Sequence, residues 1–269
     1  MPFSGLLGGK AGSLLLRTLL RPREPENSAR SHVKVNSRKG SERFTRAFGE
    51  AFSSAVCGRT VLDYGCGSGE GVLSLARLGA RRVIGLDIRE DVLNCGRELV
   101  RAEGVEDQCI FLNTMDPEVI SSLYGAVEAI ISLDAFEHYA NPDEVLKLMK
   151  DLLSEDGSIY VEFGPPWWHP YGCHMMFLGA PPWTHVLFDE KIVMSVRALY
   201  RSDGALRYED VEGGLNRMTV RRFERMVQTS GFTVKALECV PIRGMKMWSR
   251  NRLGRELFTS VVRAQLMNK

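Results

Sequence analysis

Three glycines at alternate positions, Gly65, Gly67 and Gly69, follow a short apolar run and precede a helical pattern. Without a Cβ, such residues let the backbone turn sharply and approach a ligand closely. The dinucleotide pattern G-x-G-x-x-G would need a glycine at position 70, where this chain has Glu70. Asp63 also precedes the loop. Two carboxylates beside a pyrophosphate would be unfavourable, whereas a ligand bearing an ammonium group would gain from one of them. The segment therefore predicts a binding loop for a cationic ligand that lacks phosphate.

A further carboxylate, Asp87, ends the second predicted strand, twenty residues after Gly67. A carboxylate at such a strand end can accept hydrogen bonds from both hydroxyls of a ribose. The loop and Asp87 together indicate a nucleoside with a free ribose diol and a cationic, phosphate-free appendage. S-adenosylmethionine fits that description, and we predict it as the cofactor. A tight turn without a ligand is the alternative, but it does not explain why Asp63, the glycines and Asp87 occur together.

The same residues give the chain its resemblance to the class I S-adenosylmethionine-dependent methyltransferases. The matching motifs are Asp63-Tyr64-Gly65-Cys66-Gly67-Ser68-Gly69, the acidic strand end at Asp87, and Ser132-Leu133-Asp134-Ala135-Phe136-Glu137-His138 at the end of the fourth predicted strand. The resemblance spans roughly residues 58–163 and resumes at 218–268. It implies a Rossmann-like, doubly wound α/β fold with a seven-stranded sheet, the last strand antiparallel and helices on both faces.

The resemblance also implies which residues contact the cofactor. Asp63 and the loop glycines would face its methionine part, and Asp87 would hold its ribose. An acid after the third strand, here Asp116, would meet the adenine amine. The full predicted set is Asp63, Gly65, Cys66, Gly67, Gly69, Asp87, Ile88, Asp116 and Leu133.

The acceptor's chemistry decides which other side chains a methyltransferase needs. Methyl transfer is an in-line displacement at a sulfonium carbon, so positioning and the exclusion of water can supply most of the acceleration. An alcohol or phenol acceptor must also lose its proton, which requires a histidine, a carboxylate or a metal. Glu137 and His138 follow the fourth strand at the mouth of the predicted crevice, and His174 lies in a later insertion. We predict these three as the catalytic residues, while a structural role for His138 in the following turn stays open.

The spacing Asp134-x-x-Glu137-His138 also resembles the acid-x-x-Glu-His metal motif of the small-RNA 2′-O-methyltransferases and of some quinone-pathway O-methyltransferases. The first acid there is usually glutamate, so Asp134 departs from the pattern. A further ligand would have to come from the three histidines of residues 165–216, and imidazole suits Mn, Fe or Zn. We expect no metal ion here, a hypothesis that chelation tests.

Five short apolar runs alternate with helical segments, which is the pattern of a parallel sheet covered on both faces by helices. The predicted strands are Thr60–Tyr64, Arg82–Asp87, Cys109–Asn113, Val127–Leu133 and Ser158–Gly164, followed by Phe232–Val240 and about Leu257–Met267. Between them, Asn141 and Thr219 are placed to cap helices, and Gly231 stands where a helix end favours a positive φ.

Residues 165–216 interrupt this alternation and hold five prolines and three of the five histidines. A long insertion after the carboxyl end of a strand is well placed to cover a ligand, and we predict a lid over the acceptor. Trp167, Trp168 and His174 are expected to line the acceptor pocket, although aromatic residues also anchor long loops. The preceding Gly164-Pro165-Pro166-Trp167 resembles the [D/N]-P-P-[Y/F/W] signature of amino methyltransferases. It follows the fifth strand and Gly164 has no side chain, which argues against methylation of a base amine.

Composition and charge limit the class of protein. The 269 residues are 44% apolar and 25% charged, which argues against a disordered chain or a disulfide scaffold. Six cysteines form no C-x-x-C pair, and no apolar run approaches the ~20 residues of a membrane-spanning helix. Net charge is +7 for residues 1–46, −14 for 47–216 and +9 for 217–269. The basic ends either form one surface for an anionic partner or lipid headgroups, or neutralise the acidic middle.

We expect a basic N-terminal extension over residues 1–46 and one methyltransferase domain over residues 47–269, with the lid at about 165–216. The predicted protein is cytoplasmic, and peripheral to a membrane if its basic ends bind lipid. Its predicted reaction is methylation of a small-molecule, lipid-linked or carrier-linked acceptor, at oxygen rather than nitrogen or carbon. The alternatives are an RNA methyltransferase, although nucleic acid is not the expected partner, and a cofactor-binding interaction protein without turnover.

Overall fold

The computed structural model of the protein describes residues 5–22, 37–211 and 213–268, with residues 37–41 described by their backbone alone. The strands are β1 Thr60–Tyr64, β2 Arg82–Asp87, β3 Cys109–Asn113, β4 Val127–Leu133, β5 Leu153–Phe163, β6 Thr233–Pro241 and β7 Thr259–Met267. The helices are α1 Gly9–Leu19, α2 Ser37–Phe48, α3 Ala51–Val56, α4 Glu70–Arg77, α5 Glu90–Ala102, α6 Pro117–Ser121, α7 Pro142–Leu152, α8 Thr184–Leu187, α9 Glu190–Arg197, α10 Val220–Thr229 and α11 Arg252–Phe258.

The seven strands form one sheet in the order β3-β2-β1-β4-β5-β7-β6. Strands β1 to β5 pair in parallel, and β7 lies antiparallel between β5 and β6. This confirms the predicted Rossmann-like sheet with an antiparallel last strand. The direction of winding reverses between β1 and β4, and ligands of open α/β sheets bind at the carboxyl ends of such strands.

Helices cover both faces of the sheet, as predicted. Successive strand residues point to opposite faces, so Leu62 and Ile130 belong to one apolar core while Val61 and Ile131 belong to the other. The first core includes buried residues of α6, α7 and α10, and the second includes those of α2, α3, α4 and α5. The near-continuous apolar strands of the sequence are therefore explained by burial on both sides.

The predicted helix ends are confirmed in part. Thr219 caps α10 by accepting a 3.0 Å hydrogen bond from the backbone N–H of Arg222, and Gly231 has a φ of +76° after that helix. Asn141 precedes α7 as predicted but makes no side-chain capping bond. The fixed φ of Pro142 begins this helix without it.

Two predicted strand beginnings are wrong by two residues or more, while the end of β5 and both ends of β6 differ from the prediction by one residue. Strand β5 begins at Leu153 rather than Ser158, because Leu153 pairs with Val127 across an irregularity in the ladder. The last strand begins at Thr259 rather than near Leu257. Asn251 caps the intervening α11 through a 2.7 Å bond from the N–H of Gly254, so the apolar residues just before Thr259 complete a helix.

The insertion at residues 165–216, which we call the lid, is a small unit with its own apolar core. Helix α1 packs against this lid, where Leu16 is fully buried and Leu7 forms a bridge with Phe188. Helix α2 crosses the predicted boundary at residue 46 and packs on the sheet through the buried Phe44. The described parts of the N-terminal segment thus contact both the lid and the sheet.

Candidate active site

The loop after β1 holds its three glycines in the left-handed region, with φ values of +82°, +50° and +82° at Gly65, Gly67 and Gly69. A Cβ at Gly65 would lie 2.8 Å from that of Ala135, and one at Gly69 would lie 2.8 Å from the ring of Phe111. A Cβ at Gly67 would meet nothing within 4 Å. The outer glycines are thus required by close packing, whereas the middle one borders open space where a ligand can approach the backbone.

Asp87 ties the end of β2 to this loop. Its Oδ2 accepts a 3.0 Å hydrogen bond from the N–H of Gly67, and its Oδ1 accepts one of 3.0 Å from the N–H of Arg89. A carboxylate has about four lone-pair sites, so each oxygen retains capacity for a further donor such as a ribose hydroxyl. The next residue, Ile88, exposes 63% of its surface. A nucleoside would fit here, with its ribose at the carboxylate of Asp87 and its base on the exposed side chain of Ile88.

Asp63 is buried at the end of β1, against the first turn of α4. A Cβ on Gly71 would lie 2.3 Å from its Oδ2. Burial raises the pKa of Asp63, the charge of Arg43 lowers it and the neighbouring Asp87 raises it, with a net result of about 7. The carboxyl group therefore changes charge near neutral pH.

Arg43, on α2, is a residue that the sequence did not indicate. Its guanidinium forms an ion pair with Asp134, which follows β4 with a φ of +48°. The carboxylate of Asp134 is thus paired with a cation on α2. Its spacing from Glu137 and His138 had suggested instead that the three residues share a metal motif. The positive charge of Arg43 lies at the mouth of the crevice, close enough to affect Asp63.

Asp116 has a local structural role. Its Oδ1 accepts hydrogen bonds of 3.2 Å from the N–H groups of Glu118 and Val119, and so caps α6. Capping explains this acid without a ligand, and its contact with adenine stays a prediction. The other predicted cofactor residues, Cys66 and Leu133, are buried and half-buried at the ends of β1 and β4.

The lid brings His174 to Glu137 and His138. The latter two lie in the turn Phe136–His138 just after β4, and His174 lies in the lid with a φ of +58°. One ligand atom from each of the three residues falls within 4.8 Å of the others. The two imidazole rings meet edge to face with their centroids 5.4 Å apart. The structure therefore brings the three predicted catalytic residues together.

The hydrogen bonds of this cluster identify one donor nitrogen in each imidazole. His138 Nδ1 lies 2.5 Å from the carbonyl oxygen of Gly214, and His174 Nε2 lies 3.1 Å from that of Pro165. A carbonyl oxygen only accepts, so each of these nitrogens donates. In a neutral imidazole the second nitrogen then carries a lone pair. Burial lowers the pKa of His174, which favours this neutral form.

Glu137 is buried, with 3% of its surface exposed. Its Oε1 accepts a 3.1 Å hydrogen bond from the N–H of Gly164, while its Oε2 has no hydrogen-bond partner among the described residues. Burial raises the pKa of Glu137 to about 8. A buried carboxyl oxygen without a donor is costly, so this atom indicates an unfilled interaction at the site.

The other lid histidines lie apart from the cluster. His185 is buried and donates from Nε2 to the carbonyl of Trp167 at 2.6 Å, and burial lowers its pKa to about 4. His169 accepts at Nδ1 from the N–H of Tyr171, and burial lowers its pKa to about 4 as well. Both act as structural groups of the lid in these contacts.

A narrow recess with no room for a water molecule lies beside the cluster. Its lining residues are Glu137, Pro165, Trp167, Gly172, His174, Leu215, Arg217 and Met218. Trp167 and His174 line it as predicted, although Trp167 is mostly buried in the lid core, and Trp168 is not among the lining residues. The segment after the Gly213-Gly214 pair was missed by the sequence analysis. Only the paired glycines, one of which lies against His138, hinted at a close approach.

The glycine of the Gly164-Pro165-Pro166-Trp167 motif is required by packing. A Cβ at Gly164 would lie 2.3 Å from the carbonyl oxygen of Ser260 on β7. No side chain fits there, so nothing at this position accepts a hydrogen bond from an exocyclic amine.

Comparison with known proteins identifies the domain. A family model described as a methyltransferase domain matches residues 12–237. Ribosomal protein L11 methyltransferase of Alteromonas mediterranea is 43% identical over 65 residues, which cover 24% of this chain and 22% of that protein. Ubiquinone biosynthesis O-methyltransferase of Neisseria meningitidis is 29% identical over 108 residues, which cover 39% of this chain and 44% of that protein. The chain thus spans less than half the length of either curated relative.

Solved structures share the fold at low sequence identity. An S-adenosylmethionine-dependent methyltransferase from Mesorhizobium loti matches with a TM-score of 0.51 and 17% identity, covering 82% of this chain and 97% of its own. The [4+2]-cyclase SpnF matches with a TM-score of 0.54 and 14% identity, and the match covers 92% of this chain and 87% of that one. At such identities the likeness shows the fold alone.

Proposed function

This chain belongs to the class I S-adenosylmethionine-dependent methyltransferases, and we propose that it transfers the methyl group of this cofactor to an oxygen of a small-molecule or lipid- or carrier-linked acceptor. The observation that carries the choice of oxygen is the cluster of Glu137, His138 and His174 at the carboxyl edge of the sheet. A cofactor-binding protein without turnover would not need these three side chains to converge.

The crevice residues fit S-adenosylmethionine. Gly67 leaves open space at the loop, Asp87 retains lone pairs for the ribose hydroxyls, and Asp63 offers a carboxylate to the cationic methionine part. These features favour a cationic nucleoside over a phosphorylated one, since a phosphate would meet two carboxylates at short range. When bound, the cofactor supplies the electrophilic methyl group. The protein's own residues orient it and keep water away.

An oxygen acceptor explains the cluster because a hydroxyl must lose its proton before or during attack on the methyl carbon. Each imidazole of the cluster has a second ring nitrogen beside the one bonded to a backbone carbonyl, and Oε2 of Glu137 has no hydrogen-bond partner among the described residues. We assign the proton's removal from the acceptor to this cluster. The acceptor would approach the cluster next to the narrow recess lined by Arg217.

The connection between β6 and β7, residues 242–258, favours a lipid-linked acceptor, and we call it the hairpin. Met247, Trp248 and Leu253 expose 74%, 63% and 69% of their surfaces in this hairpin. Four exposed cationic residues accompany them, namely Arg243, Lys246, Arg250 and Arg252. Strand β6 runs in the same direction as β5, because both are antiparallel to β7. The hairpin therefore lies at the carboxyl edge of the sheet, as the crevice does. Exposed apolar and basic side chains together are typical of a surface that binds anionic lipid.

No helix among the described residues is long and apolar enough to cross a bilayer. RNA remains the second candidate acceptor, since cationic residues also bind phosphates. The exposed tryptophan and leucine of the hairpin favour lipid over RNA. A steep fall in RNA affinity with salt, together with methylated RNA as product, would favour the alternative.

The proposal is tested with S-adenosylmethionine labelled on its methyl carbon. The protein is incubated with the lipid fraction and, separately, with the aqueous metabolite fraction of a cell extract, and the labelled product is identified by mass spectrometry and NMR. We expect an O-methyl product, and less of it with the Asp87→Ala variant at the same subsaturating cofactor concentration. A product methylated only at nitrogen or carbon overturns the assignment to oxygen. Cofactor binding without transfer to any fraction overturns the proposal of an enzyme.

A further inference from the structure

We propose that Glu137, His138 and His174 form a binding site for one divalent transition-metal ion. The sequence analysis expected no ion here, and the arrangement of the three side chains leads us to revise that expectation. Their ligand atoms lie within 4.8 Å of one another, and they come from two separate segments, the turn after β4 and the lid. Ion binding is independent of methyl transfer, while the ion's part in the reaction rests on the proposed function.

The orientation of both imidazoles supports this site. Each histidine donates one ring N–H to a backbone carbonyl, His138 to Gly214 and His174 to Pro165. Metal-binding histidines characteristically donate their other ring nitrogen in this way, because the bond fixes the tautomer and the plane of the ring. The nitrogens left with lone pairs, Nε2 of His138 and Nδ1 of His174, are then available to a cation.

Glu137 provides an independent observation. Its side chain is almost fully buried, and its Oε2 finds no donor among the described residues, although its Oε1 accepts from the N–H of Gly164. An ionised carboxylate in such a place is unfavourable unless a cation or a donor meets the second oxygen. An imidazole in its neutral form supplies no donor on its second nitrogen. A divalent ion would satisfy the carboxylate and both lone pairs at once.

The donor set limits the kind of ion. Two imidazoles and one carboxylate suit Mn, Fe or Zn, whereas Ca and Mg prefer ligand sets made of oxygen. Asp134 is not counted as a ligand, because it pairs with Arg43 on α2. Three protein ligands leave coordination positions open, which is the arrangement of catalytic rather than structural sites.

An ion in this position would bind the acceptor's oxygen and lower the pKa of its hydroxyl. With the ion bound, the three side chains would act as its ligands and not as bases, so the O–H bond would break with the proton leaving to solvent, and the oxygen would attack the methyl carbon. The bond between that carbon and the sulfonium sulfur breaks, and its electron pair stays on sulfur in S-adenosylhomocysteine. No oxidant or reductant is needed, since the ion keeps its charge throughout.

The test uses the full chain, stripped by a chelator and then titrated with Mn²⁺ or Zn²⁺ alone in a calorimeter, without cofactor or acceptor. We expect one ion per chain. Glu137→Gln and His174→Ala should each weaken the affinity at least about tenfold. The matched control is His169→Ala, which removes a lid histidine outside the cluster and should bind as the unaltered chain does.

Two further measurements keep the proposal falsifiable if a variant fails to fold. The visible absorption of Co²⁺ bound to the unaltered chain should report a site with nitrogen and oxygen ligands, and addition of Zn²⁺ should displace it. No stoichiometric binding of Mn²⁺, Co²⁺ or Zn²⁺ overturns the site, as does undiminished binding in both folded variants. Stoichiometric ion binding in a chain that methylates no acceptor would uphold the site and overturn the proposed function alone.

Discussion

The backbone N–H of Gly67 donates a 3.0 Å hydrogen bond to Oδ2 of Asp87, which joins the loop after β1 to the end of β2. A ligand can approach the backbone at Gly67, and Asp87 offers it lone pairs. The hydrogen bond holds these two groups, which follow neighbouring strands, next to each other. Both residues are placed at the carboxyl edge, where the sheet reverses its winding. The predicted contacts with the cofactor depend on this pair.

Asp87→Ala should weaken the binding of S-adenosylmethionine. Loss of a charged hydrogen-bonding partner costs roughly 1.5–3 kcal/mol, which is about ten- to a hundredfold in Kd. Calorimetric titration measures the change. Asp91→Ala, which removes an exposed acid at the start of the following helix, serves as the control and should leave Kd unchanged. An unchanged Kd for Asp87→Ala would reject the assignment to the ribose.

Binding of S-adenosylmethionine should strengthen as pH rises from 6 to 8. The pKa of Asp63 is raised to about 7 by burial, so the group is mostly protonated at pH 6 and mostly ionised at pH 8. A cationic ligand favours the ionised form, and affinity should rise about tenfold across this window. The Asp63→Asn variant should lose the dependence. Affinity that falls with pH in the unaltered protein would contradict the role of this carboxylate.

His138→Ala and His174→Ala should lower kcat more than they change cofactor affinity. Both rings belong to the cluster that we assign to the acceptor's proton, and such assistance contributes about 10²- to 10⁴-fold to the rate. Steady-state kinetics with the identified acceptor and calorimetry with the cofactor separate the two effects. His169→Ala is again the control. Unaltered turnover in both variants would remove these residues from the mechanism.

Leu16→Ala should destabilise the contact between α1 and the lid. Leu16 is fully buried in the lid core, and truncation of a buried leucine typically costs about 2–5 kcal/mol. Leu14, on the same helix and 67% exposed, provides the control, because Leu14→Ala should change stability by less than about 0.5 kcal/mol. Thermal unfolding compares the two. Equal melting temperatures would show that α1 does not stabilise the lid.

Trp248→Ala and the double change of Arg250 and Arg252 to glutamine should reduce binding to vesicles that contain anionic phosphatidylglycerol. Each basic residue near such a surface contributes about 1 kcal/mol, an effect that salt weakens. Cosedimentation measures the bound fraction. Tyr124 is 54% exposed just before β4, at the opposite edge of the sheet, and Tyr124→Ala should bind normally. Vesicle binding that is insensitive to the hairpin changes would refute this surface.

Much of the sheet could be predicted from the sequence because its strands are buried on both faces. The first four strands have the predicted bounds, and a helix begins after Thr219 as predicted. The errors lie where periodicity is ambiguous. Short apolar runs fit a helix end or a strand equally well, and this is why the predicted last strand includes Leu257 and Phe258, the last two residues of α11.

The site could be predicted only where its parts are close in sequence. Glu137 and His138 follow β4 directly, so their position at the crevice follows from the strand. Their convergence with His174, and the carbonyls that orient both rings, depend on the fold of the lid. The pairing of Arg43 with Asp134 likewise depends on how α2 packs across the sheet, for which the sequence carries no local signal.

The most direct test of the account is a calorimetric titration of the purified chain with S-adenosylmethionine, NAD and ATP in parallel. Buried carboxylates beside an open backbone turn should bind the sulfonium nucleoside with one site per chain and leave both phosphorylated nucleotides unbound. Saturable binding of NAD or ATP, with none of S-adenosylmethionine, would contradict it.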